Sequence, residues 1–279
     1  MKVRVVFLLL CCIWGSTWMF IKLGLRDLPP VSFAAARFLL ATAILSAVVA
    51  ARRARLPRGR AEWGLIALSG VLAFGLNYGL LFWGEQHISS GLAALLQATI
   101  PVFGMLLAHP YLPGERLNAR KLAGAAFVAW ANVLVKAKGT RLDASVLAAG
   151  QMACGFLALA AVALALEGDP RNLRWTPLAV GCLLYLTLVG SVAAFLLFYW
   201  LVRHVDVTKT MLIALVTPLA AVLLGVAALG EEVSWRTVAG GLTIMSGVAL
   251  VVLRRAPKAP AVAAPESLAP EAGAAGGET

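Results

Sequence analysis

Hydrophobic residues run along this chain in blocks of about twenty, separated by short charged or proline-bearing stretches. Blocks of this length suit helices that cross a bilayer core about 30 Å thick. A block such as VSFAAARFLLATAILSAVVA is apolar on nearly every side, which indicates lipid surroundings rather than a soluble core. The pattern predicts eight spanning helices, near residues 4–25, 31–51, 62–83, 88–109, 145–166, 177–202, 209–229 and 236–253.

A ninth block is shorter than the others. In RKLAGAAFVAWANVLVKAKG, only the fourteen uncharged residues from Leu122 to Val135 separate Lys121 from Lys136. At about 1.5 Å per residue they cover roughly 21 Å, which is less than the bilayer core. One crossing here would invert the second half of the chain, whereas no crossing would leave a re-entrant or interfacial segment. We expect a short helix packed within the bundle.

Composition narrows the class of protein further. The chain is 61% hydrophobic and 13% charged, and its net charge of +11 comes from basic residues in loops such as ARRARLPRGRAEW. Such loops follow the positive-inside distribution of membrane proteins, so we expect no nucleic-acid partner. The cysteines lie unpaired within apolar blocks, and the three histidines are isolated. We therefore predict no disulfide, metal, cofactor or catalytic site.

The chain also contains an internal repeat. A shift of 116 or 117 positions aligns residues of rare types in the same order, which chance explains poorly. The aligned pairs are Trp14 with Trp130, Lys22 with Lys138, Asp27 with Asp143, Trp83 with Trp200, His87 with His204, Pro101 with Pro218, Glu115 with Glu231 and Gly124 with Gly240. We predict that the two halves are copies of one unit.

These residues resemble the EamA-type permeases of the drug/metabolite transporter superfamily. The resemblance rests on WGSTWMFIKLGLRDLPPVSFAAARFLLA, on a proline in the fourth and penultimate blocks, and on GEEVSWRTVAGGLTIMSGVALVV. It covers all but the C-terminal tail. It implies ten helices in two inverted five-helix repeats, both termini cytoplasmic, and movement of small metabolites through a central cavity. Here the stretch GERLNARKLAG resembles the start of the family's fifth helix and AWANVLVKAKGTRLD the end of its sixth.

The expected fold is therefore an all-α, polytopic membrane helix bundle of two inverted-repeat halves, with about nine helices and one expected helix missing. We assign residues 1–121 to the first repeat, 122–138 to a junction helix that fuses the fifth and sixth, and 139–255 to the second repeat. Residues 256–279, rich in Pro, Ala, Gly and Glu, are expected to form a disordered cytoplasmic tail. The basic residues of both halves favour a multi-pass protein of the inner (plasma) membrane with a cytoplasmic N-terminus.

Two prolines indicate where a substrate could bind. Pro101 and Pro218 each remove a backbone hydrogen bond near the middle of equivalent blocks, beside Gln97, Thr99 and Thr217. Paired interruptions in two repeats point to the central site of a transporter, although prolines also kink helices for packing alone. Further polar and aromatic residues inside blocks contact either substrate or another helix. They are Trp14, Thr17, Asn77, Tyr78, Gln151, Tyr185 and Tyr199.

Charged residues add three candidates. Arg37 lies inside a block and matches the arginine that opens the family's second helix, so substrate contact, gating, anchoring and snorkelling to the outer interface all stay open. Glu115 and Glu231 follow glycines at the heads of helices, where a carboxylate caps the positive end of the helix dipole or takes part in a gate. The other acidic residues lie at helix ends, in loops or in the tail, so transport is facilitative or coupled through a peripheral group such as Glu85.

The sequence thus predicts a secondary transporter in the lipid bilayer that moves small metabolites or drugs by alternating access. The alternative is a transport-incompetent, truncated relative that lacks a structural helix. A homodimer would cover the surface that such a loss exposes. An integral-membrane enzyme is less favoured, because no histidine or serine lies near a carboxylate inside a block.

Overall fold

The computed structural model describes residues 2–99, 143–205 and 212–253. Regular structure within these ranges is helical throughout, so the all-α prediction is confirmed. The first part of the chain forms α1 (Lys2–Gly24), α2 (Pro30–Ala51), α3 and α4 (Ser90–Gln97). Helix α3 begins with Arg60–Gly70, passes through a π-helical turn at Val71–Leu76 and ends with Asn77–Glu85.

The second part of the chain also contains four helices among its described residues, and α5 and α6 are the equivalents of α2 and α3. It forms α5 (Ala144–Leu166), α6, α7 (Ile213–Leu229) and α8 (Trp235–Leu253). Helix α6 begins with Pro177–Thr187, passes through a π-helical turn at Leu188–Ala193 and ends with Ala194–His204. The junction helix predicted for residues 122–138 and the tail predicted for 256–279 lie outside the described residues.

Five helices of the described residues are long and apolar enough to cross a membrane. They are Lys2–Gly24, Pro30–Ala51, Arg60–Glu85, Ala144–Leu166 and Pro177–Phe198. Their bounds agree with the predicted blocks to within a few residues, because a bilayer requires the same uninterrupted apolar length of every crossing. Many large apolar side chains also point outward, and Leu166 is 77% exposed. Water would oppose such a surface and lipid favours it.

Helix ends follow local rules. Pro30 and Pro177 occupy the first turn of α2 and α6, where a missing N–H removes no helical hydrogen bond. Thr176 caps α6 by accepting the N–H of Ala179 at 3.1 Å. Gly230 ends α7 with a φ of 65°, in the left-handed region that glycine adopts without a Cβ clash.

Equivalent helices of the two halves run in opposite directions. Glu167, which follows α5, accepts the backbone N–H groups of Val31 and Ser32 at the start of α2 at 2.8 and 2.7 Å. Helices α2 and α5 are therefore antiparallel, and they make the most extensive contact of the bundle. We call the end that holds residues 25–29, 86–89, 167–176 and 230–234 face B, and the opposite end, with residues 52–59, face A. Helix α2 begins at face B and its equivalent in the second half, α5, begins at face A, as an inverted repeat requires.

The two π-helical turns lie at the same position of the repeat. Leu188 and Ala193 each follow Val71 and Leu76 by 117 positions, the shift that aligns the two halves in sequence. The Trp83 and His87 rings contact each other at 5.3 Å, and the rings of Trp200 and His204, which are also 117 positions further along, stack at 4.1 Å. The repeat is thus present in backbone conformation as well as in residue identity.

Small residues allow close helix contacts between the halves. A Cβ added at Gly15 of α1 would lie 2.6 Å from the Cβ of Ala220 in α7. One added at Gly91 of α4 would lie 2.8 Å from a methyl group of Val222 in the same helix. Such approaches replace the hydrophobic driving force that a membrane does not supply between helices. Helix α7 therefore joins α1 and α4 through these two positions.

Candidate substrate site and gate

Arg37 lies in the interior, where the two halves meet. It is 3% exposed, and its Nε donates a hydrogen bond of 3.0 Å to Oγ of Ser191, which lies in the π-helical turn of α6. The guanidinium also lies over two aromatic rings, 5.3 Å from the ring centre of Tyr78 and 5.5 Å from that of Phe38. Arg37 therefore does not snorkel to the interface, and it binds the second half from within the first.

Gln151 makes the equivalent contact in the other direction. Arg37 and Gln151 each lie seven residues after the first residue of their helices, Pro30 of α2 and Ala144 of α5. Nε2 of Gln151 donates a 2.8 Å hydrogen bond to Oγ of Ser69 in α3. A polar residue seven positions after the start of each of these two helices thus binds a serine of the opposite repeat, but only Arg37 carries a charge.

The residues from Trp14 to Thr17, which begin the stretch that resembles the family, lie in α1 and face α6. The hydroxyls of Ser16 and Tyr185 are 2.6 Å apart, and Phe20 stacks on the Tyr185 ring at 3.8 Å. Thr17 is buried and donates to the carbonyl of Trp14 at 2.7 Å. A Cβ added at Gly190, in the π-helical turn, would lie 2.7 Å from the Thr17 methyl group, so this turn packs directly on α1. A substrate role for Trp14, Thr17 and Tyr185 stays a prediction.

Aromatic rings surround this polar cluster. The Trp14 ring lies 5.4 Å from that of Phe198, and Phe74 contacts Tyr78, Phe38 and Phe195 at 5.9, 5.4 and 6.1 Å. Rings supplied by α1, α2, α3 and α6 therefore form one connected aromatic shell, which reaches Arg37 through Phe38 and Tyr78. Such a shell with a few polar groups is typical of small-molecule sites.

The remaining predicted residues differ in their surroundings. Asn77 bonds within its own helix, from Nδ2 to the carbonyl of Ala73 at 3.4 Å. Gln97 is the half-buried last residue of α4, and the Thr99 hydroxyl donates to the carbonyl of Leu96 at 2.6 Å. Pro101 and Glu115 lie outside the described residues, as does the side chain of Tyr199 in α6.

Pro218 lies inside α7, which continues from Ile213 to Leu229 on both sides of it. It is buried, and the preceding Thr217 has a buried hydroxyl with no hydrogen-bond partner in the described structure. The proline frees the carbonyl of Ala214 from its helical bond. A freed carbonyl and an unpartnered hydroxyl thus lie within one turn of the helix that contacts α1 at Gly15.

Glu231 lies at the N-terminus of α4 rather than at that of its own helix, α8. Its carboxylate accepts the N–H and the hydroxyl of Ser90 at 2.8 and 2.9 Å, and the N–H of Gly91 at 3.4 Å. The dipole of α4 is therefore stabilised by a carboxylate from the other half. Asp27 makes a similar link, accepting the Thr176 hydroxyl at 2.5 Å. Together with those of Glu167, these contacts link the two halves at face B.

Glu85, which the sequence indicates only as a peripheral group, is a buried acid. It ends α3, it is 0% exposed, and neither of its carboxylate oxygens has a hydrogen-bond partner in the described structure. Nζ of Lys22 lies nearby but donates to backbone carbonyls, those of Glu85 and Ile88, at 2.6 and 2.8 Å. Its position at the end of an apolar block suggests an interface with water. Its charged neighbours, Lys22 and Glu231, come from distant parts of the chain and leave no local signal.

The described residues contain no group of three or more His, Cys, Asp or Glu side chains that could hold a metal ion.

Comparison with known proteins identifies relatives over most of the chain. The family model described as the EamA-like transporter family matches residues 2–135 and again 122–253, so residues 122–135 belong to both matches. An uncharacterized transporter of Archaeoglobus fulgidus is 29% identical over 292 residues, with 91% of this chain and 98% of the relative covered. The uncharacterized inner membrane transporter YedA of Escherichia coli K12 is 31% identical over 257 residues, with 80% of this chain and 81% of YedA covered.

A narrower match and a solved structure add to this. A probable terminal-alkyne amino-acid exporter of Streptantibioticus cattleyicolor is 35% identical over 113 residues, or 40% of this chain and 37% of that protein. A protein of known crystal structure superimposes with a TM-score of 0.60 at 17% identity, over 90% of this chain and 95% of its own. The latter likeness concerns the fold alone.

Proposed function

This chain belongs to the EamA-like transporter family, and on that premise we propose that it moves small, carboxylate-bearing metabolites by alternating access around Arg37. The protein is a multi-pass membrane transporter, in agreement with the names of its relatives. Family membership also points away from an enzyme. The substrate class and the transport cycle are the parts that we propose.

One observation supports the substrate class, namely the charge of Arg37. Its buried guanidinium has one hydrogen-bond partner, Ser191, and the described residues place no carboxylate in salt-bridge contact with it. A buried cation without a counter-ion is destabilising in a membrane protein. A guanidinium carries five N–H donors and binds carboxylates in a bidentate manner. A substrate carboxylate would supply the missing negative charge.

The amino-acid exporter of S. cattleyicolor supports the same class. That protein is named as an exporter of an amino acid, and amino acids carry a carboxylate. The aromatic shell around Arg37 offers apolar contact for the rest of such a molecule.

Alternating access is supported by the contacts between the halves. At face B, side chains of one half bind groups of the other half, as Glu231 binds Ser90 and Glu167 binds Val31. These polar links lie at one end of the bundle, apart from the long apolar contact of α2 with α5, so they can break while that contact is kept. We infer that these links hold face B closed, and that rocking about the Arg37 region would open it.

The distribution of basic residues supports an orientation. Seven basic residues of the described first half lie at or beside face A, namely Lys2, Arg4, Arg52, Arg53, Arg55, Arg58 and Arg60. Lys22 and Arg26 lie at face B in the same half, and Arg171 and Arg174 lie there in the second half. We therefore propose that face A, with the N-terminus, is cytoplasmic.

The transport proposal is tested in proteoliposomes with L-leucine, L-glutamate and the cation tetraphenylphosphonium as probes. We expect the protein to move at least one of the carboxylate probes. Arg37→Gln should abolish that flux, and Arg37→Lys should reduce it because an ammonium group cannot form the bidentate contact. Arg55→Gln, in the exposed face A loop, is the matched control and should transport normally. Normal carboxylate flux in Arg37→Gln would overturn the role of Arg37.

A truncated, transport-incompetent relative is the second candidate. It is favoured by the overlap of the two family matches at residues 122–135, where one block serves both halves. A stable protein that moves none of the three probes would favour it. We also propose a homodimer as the form that would cover surface exposed by a missing helix, and a single monomeric species by light scattering in detergent would contradict this.

A further inference from the structure

We propose that Glu85 is a proton-binding site that couples transport to the proton gradient, an inference that rests on the proposed transport function. The bundle holds this carboxyl in its neutral form while face B is closed.

The first step is the contrast between Glu85 and the other acids. Several described carboxylates accept hydrogen bonds from N–H or O–H donors, and the contacts that show this are those of Asp27, Glu62, Asp143, Glu167, Asp169 and Glu231. Glu85 is more deeply buried than these residues, yet both of its oxygens lack a partner in the described structure. A charged carboxylate in such surroundings is strongly destabilised, whereas a protonated one loses much less on burial.

The charged neighbours do not neutralise Glu85 by contact. Lys22 of α1, Glu231 of the α7–α8 loop and Arg37 of α2 are the described charges whose fields reach it. Lys22 donates to the carbonyls that end α3, Glu231 caps α4, and Arg37 binds Ser191. Each of the three is therefore committed to another partner in this closed arrangement.

Opening of face B would change these partners together. Separation of the halves would detach Glu231 from Ser90 and would admit water to Glu85. The carboxyl would then release its proton to water at face B, and the resulting carboxylate would be free to pair with Lys22. Once face B has closed again and face A has opened, the next proton would enter from face A with the next substrate, so that one proton crosses the membrane in each transport cycle. Proton exchange at Glu85 is thus tied to the opening that alternating access needs.

The field of Arg37 links this proton to the substrate. A carboxylate bound at Arg37 would cancel the positive charge that otherwise favours ionised Glu85. Proton binding at Glu85 and substrate binding at Arg37 therefore favour each other, and by linkage the effect is reciprocal. The expected result is movement of the proton and the carboxylate substrate in the same direction.

The proton site is tested first without any substrate. Infrared spectroscopy of the purified full-length protein at neutral pH should show the C=O band of a protonated carboxyl. Glu85→Gln should remove this band, because glutamine keeps the size of the side chain and cannot bind the proton. Glu62→Gln, an acid at the exposed start of α3, is the control and should retain it. A wild-type spectrum without the band, or a band that persists in Glu85→Gln, would overturn the proposal.

The coupling is tested separately in proteoliposomes that contain a pH-sensitive dye. Addition of L-leucine or L-glutamate should acidify the interior with the wild-type protein and with Glu62→Gln. Glu85→Gln should still carry the probe but without acidification, and flux should no longer respond to a pH gradient. Acidification that survives Glu85→Gln would overturn the coupling role. If the wild-type protein moves neither probe, the proposed function fails, while the infrared result still decides the proton site.

Discussion

At the scale of the residue, the hydroxyl of Ser191 should matter because of the charge it binds. Ser191→Ala would leave Nε of a buried guanidinium without its partner, and we expect a loss of about 1 to 3 kcal/mol in stability. Thr187→Val is the matched control four residues earlier in the same helix. The Thr187 hydroxyl is buried without a partner in the described structure, so its removal should be neutral or stabilising. Thermal unfolding in detergent measures both, and equal effects would contradict the assignment.

A second residue-scale prediction concerns Gly15. Gly15→Val would force atoms into the contact with Ala220 and Thr217 of α7, and we expect a loss of about 1 to 3 kcal/mol in stability. Gly181→Ala is the control, because an added Cβ there meets nothing within 4 Å and alanine is a better helix former. Unfolding temperatures in detergent should therefore move in opposite directions, and a stable Gly15→Val would show that the two helices separate easily.

At the scale of the element, helix α4 depends on a residue outside its own half. Glu231→Ala removes an acceptor from three donors at the start of α4, and we expect a loss of about 1 to 2 kcal/mol together with faster amide exchange at Ser90 and Gly91. Glu232→Ala is the matched control, because that side chain is exposed. Amide exchange is measured by mass spectrometry. Unchanged exchange at Ser90 and Gly91 in Glu231→Ala would show that α4 is capped by other means.

The helices could be predicted from the sequence, whereas their polar partners could not. The bounds of α2 and α6 follow from apolar block length and from Pro30 and Pro177, which act locally. The partner of Glu231 lies 141 positions away, so the sequence predicts a helix cap but not which helix receives it. Glu85 is predicted as a peripheral group from its place at the end of a block, and block length carries no information about its burial. No residue type marks the π-helical turns.

At the scale of the whole molecule, the antiparallel contact of α2 and α5 fixes the orientation of one half relative to the other. We expect Arg26→Cys and Arg171→Cys to react with an impermeant thiol reagent from the same side of the membrane, and Arg55→Cys from the opposite side. All three positions are exposed, and the native cysteines would first be replaced by alanine. Labelling of Arg26→Cys and Arg171→Cys from opposite sides would contradict the arrangement of the two halves.

The shared π-helical turns also record the order of events in the history of this chain. A π turn holds one more residue than an α turn, so it arises when a helix gains a residue without losing its ends. Two independent gains at positions exactly one repeat apart would be a coincidence. One gain in a single ancestral unit before the duplication accounts for both turns with one event. That ancestor would have needed a second, oppositely oriented copy of itself to enclose what the two halves now enclose together.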